Sequence, residues 1–289
     1  MRVLGFGDNI VDRFVDRGVE YPGGNCVNVA VYARQLGAEA AYLGVFGDDD
    51  AGVFVRGCIE GAGVDTARCE VRTGPNGLTE IETVHGDRRF LRWNGGGVTV
   101  SDPIRLRGLD YAGSFDLVHS SVYSAVESEL PALRATKALV SFDFSSEAEY
   151  RSEAYLALVC PAIDLALVSC GGLEQQQVWS ELRRFAAHGT PLVLGTMGEQ
   201  GAVLFDGGNF YHSNAAPAAA PFVDTMGCGD AYLAALAVGL LDAHWSRSAL
   251  PPGTVIHAAM KRAARFAAGQ CSVDGAFGFG RDVVPQPAV

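Results

Sequence analysis

Short β-rich runs alternate with helical patterns along most of the chain, and this alternation narrows the available folds more than any other feature. Strands are expected near 2–7, 39–45, 116–120, 139–143, 163–168 and 191–195, with helices at 24–36, 50–62, 125–137, 150–159 and 174–188. That rhythm argues for an α/β, doubly wound, mostly parallel sheet with helices on both faces. Two places break it. Residues 11–21 and 69–93, the latter with Leu78 to Val84 and Arg89 to Trp93 around a turn at 85–88, read as extra antiparallel strands. Further on, Gly201 to Phe205 and Asn209 to His212 flank Asp206-Gly207-Gly208 as a hairpin, and helices at 228–242 and 254–269 follow. No repeat or low-complexity linker divides residues 1–289, so a single domain is expected.

A chain of 289 residues with 48% hydrophobic content can build a large core without staples. Acidic residues outnumber basic ones 33 to 22, and no Lys/Arg block could track a nucleic-acid backbone, so nucleic acid is not an expected partner. Seven cysteines lack a C-x-x-C pair, and six histidines lack metal-ligand spacing. Reduced thiols, a strand in place of a signal sequence at 2–7, and no apolar run near the roughly 20 residues of a membrane span place the expected protein in the cytoplasm.

The segment Val223-Asp224-Thr225-Met226-Gly227-Cys228-Gly229-Asp230 stands just ahead of an apolar helical run, Ala231 to Leu241. Glycines let backbone approach a ligand closely, and the first N–H groups of a helix lack internal partners, so such a segment is suited to an anion. Asp230 falls in the first turn beside that anion. A plain turn capped by an aspartate is the alternative.

A second Gly-rich element, Pro22-Gly23-Gly24-Asn25-Cys26-Val27-Asn28-Val29-Ala30, opens a helix ending at Leu36-Gly37. Gly7-Asp8-Asn9-Ile10-Val11-Asp12 precedes it, and Gly44-Val45-Phe46-Gly47-Asp48-Asp49-Asp50-Ala51-Gly52 and Thr196-Met197-Gly198-Glu199-Gln200-Gly201 follow. In this order, with the 224–230 segment, these five elements resemble the ribokinase/PfkB carbohydrate kinase family over almost the whole chain. The resemblance implies a ribokinase-like fold with a small β lid, from about 11–21 and 69–93, over the sugar. It also implies a kinase that uses ATP and Mg2+ to phosphorylate a sugar hydroxyl. A monovalent cation such as K+ would lie near Asp224, for which a turn-stabilising role is the alternative.

Phosphoryl transfer asks for positioning, charge neutralisation and a proton acceptor. Backbone N–H groups of Gly227, Cys228 and Gly229 suit the second, and Asp230 suits the third as general base. The family match assigns Asp12 and Asn28 to the sugar, with Gly24 admitting close backbone approach; a turn aspartate and a helix-face amide are the alternatives. Asp8 joins them or caps its turn. Asp143 ends a strand, where ligands of open α/β sheets collect, or merely caps it. Thr196, Gly198, Glu199 and Gly201 resemble the nucleotide loop, and Gly275 borders the adenine pocket or belongs to Gly-rich coil. One departure stands out: the family's Asn-x-x-Glu is replaced by Ser169-Cys170-Gly171-Gly172-Leu173-Glu174, which leaves Glu174 to serve the metal, through water.

Within the family the motifs look most like those of bacterial fructoselysine 6-kinases, which phosphorylate O6 of fructosamines. Arg13, Arg17, Arg88, Arg89 and Arg92 are candidates to meet an amino-acid carboxylate, or are solvated surface charge. A kinase of a plain ketose, a nucleoside kinase and a non-catalytic sugar-binding sensor are the competing readings. A dehydrogenase would need a G-x-G-x-x-G that the first turn lacks. The expected partners are a small-molecule sugar and ATP, and the assembly the reading allows is a homodimer through the lid.

Overall fold

Along the central strands both odd and even positions are apolar, and each set feeds a different core. Leu165, Leu167, Leu192 and Leu194 pack into one cluster, while Ala166, Val168 and Val193 pack into the other. Near-continuous apolar strands of this kind are the mark of a parallel sheet covered on both faces. The computed structural model describes residues 1–84, 87–218, 222–223 and 225–283.

The elements run β1 (Arg2–Gly7), β2 (Ile10–Phe14), β3 (Val19–Gly23), α1 (Asn25–Gln35), β4 (Glu39–Gly47), α2 (Asp50–Gly61), β5 (Glu70–Arg72), β6 (Leu78–Val84) and β7 (Asp87–Trp93). Then come α3 (Leu109–Ala112), β8 (Leu117–Ser121), α4 (Leu130–Arg134), β9 (Leu139–Asp143), α5 (Glu153–Val159), β10 (Leu165–Ser169), α6 (Gln175–Ala187) and β11 (Leu192–Thr196). The last are β12 (Ala202–Phe205), β13 (Phe210–Ser213), α7 (Cys228–Asp242), α8 (Gly253–Gln270) and β14 (Arg281–Asp282).

The main sheet has the order β13-β12-β11-β10-β9-β8-β1-β4-β5, parallel from β11 to β5, with β12 and β13 antiparallel at one edge. Buried residues of α1, α2, α7 and α8 belong to one core, and those of α3 to α6 to the other. The doubly wound α/β class is therefore observed. A second sheet, β14-β3-β2-β6-β7, uses the segments that broke the rhythm. Residues 70–72 depart from that grouping: β5 pairs with β4 at the edge of the main sheet. Strand β14 had no signal of its own, being two residues long and held by pairing with β3.

Helix boundaries follow local chemistry. The helix expected at 125–137 shortens to Leu130–Arg134, because Ala125 has a left-handed φ of 51° and Pro131 seeds the turn that follows. That expected from 150 begins at Glu153, where Ser152 accepts the Tyr155 N–H as N-cap. No helix among the described residues is long and apolar enough to cross a membrane.

Strand order reverses at β1, which lies between β4 and β8, and such a switch point opens a crevice beyond the carboxyl ends of the strands. Helix α7 is aimed at that crevice by Gly227, whose φ of 71° is left-handed. A Cβ there would come within 2.4 Å of the Tyr32 hydroxyl and 3.0 Å of Ala276 Cβ. Gly227→Ala is expected to cost about 1–3 kcal/mol, from left-handed strain plus overlap. A thermal melt should show Tm lowered by several degrees.

Candidate active site

Three carboxylates meet at the switch point. Asp8 follows β1, Asp143 ends β9, and Asp230 lies in the first turn of α7. Two amides of α1 tie them together. Asn25 donates its backbone N–H to Asp8 Oδ2 at 2.6 Å and its side chain to Asp143 Oδ2 at 2.5 Å. One turn on, Asn28 donates to Asp230 Oδ2 at 2.8 Å. Its own Oδ1 is buried without a hydrogen-bond partner, an acceptor that a ligand hydroxyl would satisfy.

Burial pushes the Asp143 carboxyl up to about 7, with the Asp8 charge adding to the effect and the Ser145 N–H and Asn25 amide opposing it. Asp230 is held well above the ordinary carboxylate range, first by burial and then by the charges of Asp143 and Asp8, while the Asn28 hydrogen bond pulls the other way. Neighbouring acids forced out of water in this way are characteristic of proton-transferring sites.

The structure gives every sequence-predicted site residue except Asp224 a definite place. Gly24, with φ 111°, starts α1 so close to the first turn that a Cβ would come within 2.8 Å of Asn9 Cα. Asp12 stands on β2 of the second sheet, and its Oδ2 is so near Gly23 that a Cβ there would lie 2.5 Å away. Asp8 spends its oxygens inside the turn: Oδ1 accepts from Ser121 and Ser124, each at 2.8 Å, and Oδ2 from Asn25.

Thr196, Gly198, Glu199 and Gly201 line one cavity of about 600 Å³, together with Asp143 and Gly229. A Cβ on Gly229 would meet nothing within 4 Å, so a ligand can come close to that backbone. The Cys228 N–H donates to the Thr225 carbonyl at 3.2 Å, closing the preceding turn. Gly275 is elsewhere: it packs on Tyr21 of β3, whose ring a Cβ would approach to 2.7 Å, and it is not part of the cavity lining. Glu174 is the exposed N-cap of α6, in a capping box with Gln177, and is likewise absent from that lining. Asp224, tied above to a monovalent cation, lies outside the described residues.

Among the described residues no group of three or more His, Cys, Asp or Glu side chains could hold a metal ion. Mg2+ keeps several waters and needs few protein ligands, so magnesium carried in on nucleotide phosphates asks for no such group.

Sequence reasoning assigned no role to Asn25, although two amides three residues apart at a helix start share a face. Tyr123 and Glu147, close to the Asp143 strand end, carry no sequence signal either. The Tyr123 hydroxyl lies 2.6 Å from Glu147 Oε1 and 2.8 Å from Ser145 Oγ, and Trp93 of β7 meets the Tyr123 ring edge-on at 6.5 Å.

Residues 8–277 match the sequence profile of the pfkB family carbohydrate kinase. The chain belongs to that family. It is 35% identical to fructosamine kinase FrlD of Bacillus subtilis (strain 168), covering 97% of this chain and 94% of the relative. Against fructoselysine 6-kinase of Escherichia coli (strain K12) it is 32% identical, covering 81% and 87%. Among solved structures it superposes on fructokinase with bound ATP from Xylella fastidiosa with a TM-score of 0.79 at 16% identity, covering 96% and 95% of the two chains. Arabidopsis thaliana ribokinase complexed with ribose and ATP gives 0.77 at 17% identity, with the same coverage. The fold is ribokinase-like, and this pfkB protein is an ATP-dependent carbohydrate kinase, a class whose usual metal partner is Mg2+.

Raised carboxyls make the site a cost to the folded state. Between about pH 4, the unfolded value, and pH 7 the folded chain binds more protons than the unfolded one, so this cluster lowers stability as pH rises through that window. Asp230→Asn keeps the shape and the bond from Asn28 while removing one charge. Its Tm is expected to exceed wild type by a few degrees at pH 7.5, with the gain vanishing toward pH 4. Equal Tm differences at the two pH values would contradict the charge account.

Proposed function

We propose that the chain phosphorylates O6 of a fructosamine such as fructoselysine, with Asp230 as general base. The observation that carries the mechanism is the buried Asp230 carboxylate, in the first turn of α7 and hydrogen-bonded to Asn28. In this reading Asn28 Oδ1 accepts a sugar hydroxyl, Asp143 and Asp12 hold further hydroxyls, and Asp8 acts from behind by fixing Asn25. The hydroxyl to be phosphorylated lies against Asp230, whose raised proton affinity favours taking its proton as the O–P bond forms.

The nucleotide fits the cavity. Phosphates meet the backbone at Gly229 and Thr196, and the base lies along the apolar wall of Ala264, Ala267 and Ala268 from α8. Magnesium, when bound, neutralises phosphate charge. The second sheet, which carries Asp12 and Trp93, serves as a lid that excludes water. Its outer strand exposes Phe90 and Leu91, the surface through which a homodimer would form.

Support for a fructosamine comes from the relatives and from chemistry beside Asp143. A fructosamine carries a protonated amine that free fructose lacks, and Glu147 with the Tyr123 and Trp93 rings offers it a carboxylate and aromatic faces. The arginines are otherwise engaged. Arg13 pairs with Glu20, Arg17 with Asp274, Arg89 with Glu82 and Arg92 with Glu80, while the Arg88 side chain lies outside the described residues.

Asp230→Asn should lower kcat roughly 10²–10⁴-fold with ATP affinity nearly unchanged, and a loss of only about twofold would remove the base assignment. For the substrate, kcat/KM on fructoselysine should exceed that on fructose by about tenfold or more. Glu147→Gln should erase most of that preference while sparing fructose. A ratio at or below one would move the substrate to a plain ketose.

A further inference from the structure

Cys228 opens α7, and Cys271 follows the last turn of α8. The two are 43 residues apart in sequence, yet their sulfurs lie 2.9 Å from each other. Both turn toward the Ala267 carbonyl, at 3.7 and 3.5 Å. Both are half-exposed and line the nucleotide-side cavity, whereas Cys26, Cys58, Cys160 and Cys170 are buried. The pair therefore combines three things a protein disulfide needs: juxtaposition, access to a small oxidant, and a short approach to bonding distance.

We propose that Cys228 and Cys271 form a dithiol pair that a peroxide oxidises to a disulfide, and that this cross-link arrests phosphoryl transfer until a thiol reduces it. One thiol gives up its proton and its thiolate attacks the peroxide O–O bond, becoming a sulfenic acid as the expelled hydroxide takes up that proton and leaves as water. The second thiol then attacks that sulfur, forming the S–S bond and expelling a second water. Two thiols lose two electrons and two protons, and hydrogen peroxide is reduced to two waters.

The effect on turnover follows from what each residue holds. The Cys228 N–H now closes the turn onto Thr225, and it must leave that carbonyl before it can face a phosphate. The Cys271 carbonyl accepts the Val223 N–H at 2.8 Å, so the loop entering the glycine motif is fastened to the same residue. A disulfide would tie the Cys228 end to the residue that already holds the Val223 end and restrain the segment's rearrangement around the transferring group. Nucleotide in the cavity would cover both sulfurs and slow their oxidation.

The test treats the purified kinase with hydrogen peroxide, with and without MgATP, blocks remaining thiols with N-ethylmaleimide, and maps the peptides by mass spectrometry. The expected product is a pair of peptides joined through Cys228 and Cys271, two hydrogens lighter than the reduced pair and formed more slowly with MgATP. Turnover should fall at least tenfold and return with dithiothreitol. Cys271→Ser, compared with its own untreated activity, should resist peroxide; if it does not fold, Cys228→Ala serves the same purpose. Absence of the cross-link in wild type, a cross-link with turnover unchanged, or equal inactivation of the variants would overturn the proposal. The effect on turnover rests on the kinase assignment, but the cross-link is read without any sugar, so its failure is separable from failure of the fructosamine reading.

Discussion

The hydrogen bond from Asn28 to Asp230 joins residues 202 apart in sequence, and the arrangement of the crevice depends on it. It links α1, which follows the first crossing of the chain between the two sheets, to α7, which begins after β13 has completed the main sheet. Each helix start is set by a glycine in a conformation that side chains disfavour, Gly24 at φ 111° and Gly227 at φ 71°. Neither helix alone makes a site. Together they bring an amide and a carboxylate into contact where the strand order reverses.

This contact concentrates negative charge beside the cavity proposed to receive phosphates. Asp143 and Asp230 are already out of water and repel each other, and among the described residues no Lys or Arg lines the adjoining cavity. On the proposed placement, a triphosphate would have the backbone dipoles around Gly229, the metal it carries and little else to balance its charge. In the proposed mechanism, carboxylates with raised proton affinity and phosphates that need a metal are parts of one design. Replacing the acids would make the resting chain more stable and, on that mechanism, would remove the acceptor of the hydroxyl proton.

Most of the main sheet was legible because buried parallel strands advertise themselves by continuous apolar runs separated by amphipathic helices. The second sheet was legible as a break in rhythm, but β5 was grouped with the wrong strands. Three half-exposed residues carry no periodic signal, and only pairing with β4 defines them. Within the site, positions following a glycine turn could be read. Asn25 stood inside a quoted motif without a role, since its backbone and side chain serve two aspartates that only folding brings together. Glu147 and Tyr123 belong to loops beyond β9 and β8, where nothing local distinguishes a ligand-facing side chain from a solvated one. At Gly275 the glycine-rich run allows a pocket border or plain coil, and what the structure adds is a close contact with Tyr21 that leaves no room for a side chain.

On the proposed reading, selectivity among sugars turns on which charges are left over. On the second sheet, Glu20 accepts Arg13 and Arg281, and Glu80 and Glu82 each pair with an arginine of β7, so little of its positive charge is uncommitted among the described side chains. Pairs on β7 are exposed and exchange readily with solvent or ligand, which makes them weak determinants. On the opposite wall, Glu147 is bonded to a neutral hydroxyl instead of a cation. A carboxylate in that state gains a charged partner when an amine arrives, without first breaking an ion pair. On the proposed reading the asymmetry favours a cationic substituent over an anionic one, with the discrimination carried by the body of the kinase and the aromatic face of Trp93 contributed by the second sheet.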